Sequence, residues 1–451
     1  MKKTIVILLA WAAAALAGKA QQAWTLRQCI DYAVEHNIQI KQQDINRMQR
    51  EIDVNTARNS RLPDLSASAS ENLSFGRGLT ANNTYSNTNT SSTSFSLGTS
   101  VPLFTGYRIP RTLELNQLNL QAATEDLEKA KNDIRMQVAQ AYVQILYSME
   151  LCDVAQRQIH IDSLQLFRLT EMLRNGKASG SEVAQQEASL AQSRLTATQA
   201  ESDRQLALLA LSQLLELPSP QEFSIVRPTV DNAARLAPLT AQLSPDAIYA
   251  EAVMVKPEVR AEQYRLEGTE KSIAIARSAK LPSLSFQAGL GTNYYTSSGM
   301  PSDGLFKQLN NNFSQYVGLN LSVPIFNRNE TRNNIRQAKL NQQLQQLQLE
   351  NTKKALYKEI QQAYYNALTA SAQYESSHEA RHSQEEAFRL MQAKYEYGKA
   401  TITEFNESKN NLMKAESDLV RAKYEYLYQT SLLDFYRGRP LDFTDLSIIK
   451  Q

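Results

Sequence analysis

The sequence is poor in residues that interrupt regular secondary structure, with only 15 glycines and 13 prolines among 451 residues. So few breakers disfavour the loop-rich architecture of an ordinary α/β enzyme. Basic and acidic residues nearly balance, at a net charge of +2, so the chain has no basic excess with which to bind nucleic acid. After the N-terminal segment, no run approaches the roughly 18 apolar residues that a membrane-spanning helix needs. Two cysteines, Cys29 and Cys152, are too few for a disulfide framework, and whether they pair stays open.

The first twenty residues have the pattern of a secretory signal peptide. Lys2 and Lys3 form a charged start, residues 5–17 are apolar, and residues 18–20 resemble a small-residue cleavage site. We therefore expect residues 1–20 to be a signal peptide and the mature chain to be exported. No cysteine follows the cleavage site, so a lipid anchor is not expected.

Short motifs recur in the same order at a nearly constant offset, which predicts an internal duplication. The first motif, Leu62-Pro63-Asp64-Leu65-Ser66, recurs 219 positions later as Leu281-Pro282-Ser283-Leu284-Ser285. The second, Val101-Pro102-Leu103-Phe104, recurs 222 positions later as Val323-Pro324-Ile325-Phe326. The third, Gly176-Lys177-Ala178, recurs, also 222 positions later, as Gly398-Lys399-Ala400. Each half reads as helix, strand, polar loop, strand, very long helix, tight turn and long helix. The predicted repeats are residues 21–216 and 245–437, joined by a linker at 217–244 and followed by a tail at 438–451.

Four segments, two in each repeat, alternate apolar with small polar residues as β-strands do. Their lengths are close to the roughly 9–11 residues of a tilted transmembrane β-strand. The alternative is a soluble sandwich with one wet face. Four strands cannot close a barrel, and an open edge in lipid leaves backbone groups unsatisfied, so membrane insertion would require several chains to complete the wall. The apolar faces, predicted to contact lipid, include Leu97, Leu290, Leu319 and Leu321; residues 76–92 and 297–312 are predicted to be long polar loops.

Two stretches, residues 112–173 and 331–397, contain neither proline nor glycine. A helix of about 60 residues is about 90 Å long at roughly 1.5 Å per residue, far beyond an ordinary globular helix. In the first stretch, Leu127 and Val138, and likewise Ile134 and Ile145, are eleven residues apart, a period that gives nearly straight packed helices. The remaining faces are too polar for lipid and suit a water-filled compartment.

His378-Glu379-Ala380-Arg381-His382 matches the HExxH pattern of zinc proteases. The chain has only four histidines, and this match falls mid-way along a predicted solvated helix with no cleft-forming elements around it. We therefore interpret it as a chance match and expect no metal site. No phosphate-binding loop, dinucleotide turn or nucleophile elbow occurs either, so the sequence predicts neither an enzyme nor a cofactor.

Both repeats contain the strand borders Leu-Pro-x-Leu and Val-Pro-x-Phe, and each has a helical turn, at residues 175–183 and 397–405. With these motifs the chain resembles the TolC-type outer-membrane efflux proteins along nearly its whole mature length. The resemblance implies an α+β membrane protein: a homotrimer in which four strands per chain form one transmembrane β-barrel, continuous with a long α-helical barrel. The linker and the tail would form a belt around the helices.

The same resemblance implies an exit duct in the outer membrane of a Gram-negative-type bacterium, with a large periplasmic part. Its partners would be outer-membrane lipid, a periplasmic adaptor protein and an inner-membrane transporter that supplies the energy. The exported substrate is not implied. The alternative function is a trimeric coiled-coil structural or surface protein without transport activity.

The family narrows its periplasmic entrance with two acidic residues three apart, which here match Glu404 and Glu407, with Glu in place of the usual Asp. Tyr395 matches a tyrosine of the closing network. The position of that network's arginine holds Ala400, with Lys399 one residue earlier, so we expect the closing network to have different partners in this chain. Like charges this close are expected to raise some of their pKa values.

The turns themselves are expected to dock the adaptor. Gly176 and Lys177 in the first repeat and Gly398 in the second lie at the helical tips, where a Cβ would be hindered. In a trimer these tips would form one ring.

Overall fold

The computed structural model describes residues 23–79, 83–218, 223–227, 244–298 and 300–441. The predicted signal peptide, and most of the predicted linker and tail, lie outside the described residues. The chain divides into two compact units. The first unit takes in Met1–Ile45, Glu125–Arg260 and Asn351–Gln451, and the second Asn46–Thr124 and Ala261–Glu350.

The order of elements repeats, as the duplicated motifs predict. The first half contains α1 (Leu26–His36), α2 (Ile38–Asn59), β1 (Asp64–Leu79), β2 (Tyr85–Phe104), α3 (Arg108–Arg174) and α4 (Gly180–Leu214). The second half contains α5 (Pro245–Val255), α6 (Pro257–Ser278), β3 (Ser283–Ser297), α7 (Leu305–Asn311), β4 (Ser314–Ser322), α8 (Glu330–Glu396) and α9 (Ile402–Tyr436). α3 and α8 have 67 residues each, and α4 and α9 have 35 each. The two repeats and the uninterrupted long helices are confirmed.

The duplication extends to single backbone angles. Tyr107 and Asn329, each the residue immediately before a long helix, have left-handed φ values of 65° and 63°. Glu216 and Gly438, just after α4 and α9, also have positive φ, at 55° and 85°. Because left-handed backbone is unfavourable for residues with a Cβ, its recurrence at matching positions shows that the turns, and not only the helices, are repeated.

The second unit contains one antiparallel sheet with strand order β1-β2-β3-β4. β1 pairs with β2 without interruption from Asp64 opposite Ser100 to Leu79 opposite Tyr85. The prediction of a loop over all of residues 76–92 is therefore wrong, because continued backbone pairing outweighs the low strand preference of its Asn, Ser and Gly residues. In the other predicted loop, residues 305–311 form α7.

The first unit has its hydrophobic core along α1, α3, α4 and α9. Val138, Ile134 and Ile145 on α3 are almost completely excluded from solvent, which agrees with the eleven-residue spacing. Cys29 belongs to this core, where burial raises the pKa of its thiol to about 12. Cys29 and Cys152 are both free thiols, so the two do not pair.

Candidate functional site: paired helical turns and open sheet edges

The two helical hairpins turn at matching glycines. Gly176 follows α3 and Gly398 follows α8, each with φ +68°. In both turns the glycine N–H and the N–H of the lysine after it bond to carbonyls of the preceding helix, at 2.8 to 3.0 Å. This pair of bonds is the Schellman motif that closes helix ends. A Cβ added at either glycine would meet no atom within 4 Å, so the left-handed backbone alone, and not crowding, favours glycine there.

Each following helix starts with a capping box. The Glu404 carboxylate accepts hydrogen bonds from the backbone N–H and the hydroxyl of Thr401 at 2.7 and 2.9 Å, and Thr401 Oγ1 accepts from the Glu404 N–H at 3.2 Å. Ser179 and Glu182 make the same set of bonds in the first repeat. These bonds from Thr401 lower the pKa of Glu404, with a smaller contribution from the charge of Lys394. In the single chain, the pKa of Glu404 therefore shifts opposite to the expected rise.

The two turns of one chain are held together. Leu169, Ile402 and Phe405 form a small buried cluster between them. Across the same interface, Gln185 Nε2 donates to Thr403 Oγ1 at 3.2 Å. The start of α9 is thereby fixed to the first hairpin by both apolar and polar contacts.

Of the residues predicted to form the gate, only Tyr395 joins this packed region. Its ring lies 5.1 Å from that of Phe405, and burial, with a contribution from the charge of Glu182, raises the pKa of its hydroxyl. Glu404 and Glu407 lie on the exposed surface of α9, one turn apart, and Lys399 is also exposed. The structure therefore leaves three predicted gate residues accessible for contacts outside the chain.

A buried polar cluster, formed by Asp162, Gln186, Ser189, Ser193 and Lys409, lies between α3, α4 and α9. Lys409 Nζ donates to Asp162 Oδ1, and to Ser189 Oγ at 2.9 Å. Gln186 Nε2 and Ser193 Oγ also donate to the Asp162 carboxylate. Asp162 is 0% and Lys409 2% exposed, so water is almost completely excluded from this ion pair.

Sequence reasoning missed the buried polar cluster. Ile402, Phe405 and Lys409 follow the spacing of one helix face, so Lys409 occupies a position that the pattern predicts to be apolar. Lysine is almost never fully buried without a partner. This mismatch was the available signal for a partner, but the identity of Asp162, 247 residues earlier, could not be read from it.

The sheet has two open edges. Each of β1 and β4 pairs with only one neighbour, and their residues are exposed along nearly the whole of both strands. On one face of the sheet, Leu97 lies opposite Leu290, and Phe286 lies opposite Leu319. We call this surface the apolar face. The other face carries small polar residues, as in the pair Ser285 and Asn320.

The comparisons with known proteins agree with this arrangement. The sequence matches the outer membrane efflux protein family over residues 29–216 and 248–438. The chain belongs to this family. No curated protein matches the sequence significantly.

The fold of this outer membrane efflux protein is similar to that of several solved channels. The CmeC outer membrane channel of Campylobacter jejuni has a TM-score of 0.76 at 20% identity, covering 94% of this chain and 87% of that one. VceC of Vibrio cholerae has a TM-score of 0.73 at 17% identity, covering 92% and 97%. The open state of the Neisseria gonorrhoeae MtrE outer membrane channel has a TM-score of 0.71 at 21% identity, covering 93% and 90%.

As a member of the family, this outer membrane efflux protein is an exit duct for a tripartite efflux system. Among the helices that the structure describes, none is long and apolar enough to cross a membrane. His378 and His382 are exposed on α8, and the described residues contain no group of three potential metal-binding side chains.

Proposed function

We propose that three copies of this outer membrane efflux protein form one passive duct, in which β1 of each copy pairs with β4 of the next. The observation that carries the proposal is the pair of open edges on a sheet with an apolar face. Lipid cannot satisfy backbone N–H and C=O groups, so these edges have to pair within a closed barrel. β1 and β4 run in opposite directions, so each can extend the sheet of a neighbouring copy in the antiparallel manner already present.

Exposed apolar side chains on the helices support an assembly. Burying apolar side chains against a neighbouring copy is favourable, by roughly 25 cal/mol per Å². Large apolar side chains that are at least half exposed in the single chain, or nearly so, occur on α3, α4 and α8: Leu164, Phe167, Leu195, Leu368 and Leu390. In the proposed trimer, neighbouring helices cover these side chains.

We further propose that the helical turns form the periplasmic end of the duct. Glu404 and Glu407, with Tyr395 and Lys399 close by in sequence, form the gate, and Gly176, Lys177 and Gly398 form the surface for the adaptor. An inner-membrane transporter supplies the energy, and the duct itself catalyses no reaction and holds no cofactor. Residues 1–20 are removed on export to the outer membrane of a Gram-negative-type bacterium, and residues 217–244 and 438–451 form a belt around the helices.

Membrane fractionation followed by gel electrophoresis tests the assembly. We expect the chain in the outer-membrane fraction, migrating without boiling at about three times the mass of its monomer and as a monomer after boiling. In planar bilayers, the purified trimer is expected to conduct ions. A trimer found only in the soluble fraction, without conductance, would overturn the proposal and favour the structural coiled-coil alternative.

A further inference from the structure

One end of the sheet has strands of unequal length. β4 has nine residues and pairs with β3 only as far as Ser314, opposite Gly291. β3 continues to Ser297, and β1 and β2 pair along all 16 residues of β1. The nine residues of β4 are therefore too few to pair with the full length of a neighbouring β1.

α7 occupies the place that a longer β4 would take. The side-chain amide of Gln308 accepts a hydrogen bond from the Tyr295 N–H at 2.9 Å and donates one to the Tyr295 carbonyl at 3.0 Å. Asn312 Nδ2 donates to the carbonyl of Asn293 at 2.8 Å. Asn293 and Tyr295 are two residues apart, so their backbone groups face the same strand edge. Side-chain amides thus replace the missing backbone ladder and hold α7 beside β3.

α7 also carries apolar side chains that the single chain does not cover. Phe306 is 84% exposed, and Leu305 is exposed as well. On β1, Phe75 and Leu79 are similarly exposed, close to the end that β4 cannot reach. The two uncovered apolar surfaces therefore belong to opposite edges of the same sheet.

The apolar face indicates how the edges align. On β4 it runs through Val317, Leu319 and Leu321, whereas on β1 it runs from Leu65 to Ala69 and is interrupted at Glu71. Antiparallel pairing that aligns these bands sets Val317 opposite Ala69, Leu319 opposite Ala67 and Leu321 opposite Leu65. Ser314, the first residue of β4, then lies opposite Asn72. The carboxylate of Glu71 accepts hydrogen bonds from Ser91 and Thr93, which lie on β2 of the same chain.

We propose that α7 of one copy covers the end of β1 in the next copy, with Phe306 and Leu305 packing against Phe75 and Leu79. This contact rests on the proposed trimer and adds a second surface to its interface. It shields the apolar residues of β1 beyond Asn72, where no strand of the neighbour is available to pair. The partner is a second copy of this chain because α7 continues the edge to which the neighbouring β1 is joined.

Disulfide trapping tests the contact. In a Cys152→Ser background, Phe306→Cys combined with Leu79→Cys is expected to give covalent dimers and trimers that persist after boiling without reductant. Phe306→Cys combined with Leu65→Cys, which lies near the opposite end of β1, is the matched control and is expected to give none. Each single cysteine variant should also give none.

The same gel distinguishes a failure of the proposed trimer from a failure of the proposed α7 contact. If unboiled samples show no trimer, the proposed assembly fails. If the trimer forms but Phe306→Cys and Leu79→Cys do not cross-link, or cross-link no more than the Leu65 control, the α7 contact is overturned and α7 faces lipid or solvent instead. Phe306→Ser is also expected to lower the temperature at which the trimer dissociates by several degrees, whereas Lys307→Ser on the same helix should leave it unchanged. Equal dissociation temperatures would likewise contradict the contact.

Discussion

Lys409 on α9 and Asp162 on α3 form an ion pair from which solvent is almost completely excluded. Removing two charges from water costs several kcal/mol per ion, and only good hydrogen bonding offsets that cost. Ser189, Ser193 and Gln186 supply such bonds from α4, so three helices meet at one charged centre. The pair lies just beyond Glu404 and Glu407 along α9 and fixes the helix that carries them.

The ion pair predicts an asymmetry between single and double variants. Lys409→Met leaves the Asp162 carboxylate buried without its cation and is expected to lower the free energy of unfolding by about 3–5 kcal/mol. Lys409→Met together with Asp162→Asn is expected to restore most of that loss. Urea unfolding followed by circular dichroism measures both. Arg381→Met, which breaks the exposed pair with Glu385, is the control and should cost less than about 1 kcal/mol. A double variant as unstable as the single one would contradict this account.

The gate prediction concerns ion selectivity. In a trimer, Glu404 and Glu407 give a ring of carboxylates, and such rings favour cations. Wild type is expected to prefer cations in planar bilayers and to be blocked by multivalent cations from the periplasmic side. The Glu404→Gln, Glu407→Gln double variant is expected to lose both properties. Glu182→Gln removes the equivalent capping carboxylate of the first repeat and serves as the control. Equal selectivity in all three proteins would leave Glu404 with its capping role alone.

The capping bonds also predict how the proposed gate responds to pH. The pKa of Glu404 is lowered from 4.5, chiefly by its hydrogen bonds from Thr401. A lowered folded pKa means that the carboxylate stays charged below pH 4.5, and that its contribution to stability is lost only as the pH falls through the lowered value. Cation preference is therefore expected to persist at pH 4.5 and to fade below it. In Thr401→Val, which lacks the hydroxyl, the loss should shift to higher pH. Identical pH profiles would show that Thr401 does not control this titration.

Two variants at Gly398 distinguish the effect of backbone strain from the effect of adaptor docking. Gly398→Leu adds bulk in open space and forces a left-handed backbone that costs roughly 1–2 kcal/mol. Gly398→Asn adds a smaller side chain that tolerates this backbone. Both variants are expected to give normal trimer yield, whereas Gly398→Leu is expected to abolish efflux and adaptor cross-linking. Dye-accumulation assays with adaptor cross-linking measure this. Full transport by Gly398→Leu would argue against docking at this tip.

The faces of the sheet predict opposite effects at adjacent positions. Leu319 lies on the apolar face, opposite Phe286, and Asn320 lies on the polar face, opposite Ser285. An arginine facing lipid near the bilayer midplane costs roughly 2–4 kcal/mol. Leu319→Arg is therefore expected to reduce the amount of heat-modifiable trimer in the outer membrane, whereas Asn320→Arg should insert normally. The reverse result would show that the two faces have been assigned the wrong way round.

Patterns local to the sequence were sufficient for much of the fold. Recurring motifs predicted the two repeats, and the absence of proline and glycine predicted the long helices. The alternation of apolar and small polar residues predicted the four strands and their apolar face. The capping residues Thr401 and Glu404 were also readable, because a helix start is specified by residues only three apart. These features depend on chemistry within a few residues, which the sequence displays directly.

The features that the sequence did not specify depend on residues far apart in the chain. The partnership of Lys409 with Asp162 arises only when α3 and α9 pack together, and α7 finds its place only when Gln308 meets the backbone of β3. The strands extended into the predicted loop because backbone pairing across the sheet outweighed local preference. Sequence period determines which face of an element is apolar. Tertiary packing decides which side chains meet, because burial makes a charge or an unpaired backbone group costly only after neighbouring elements have excluded water from it.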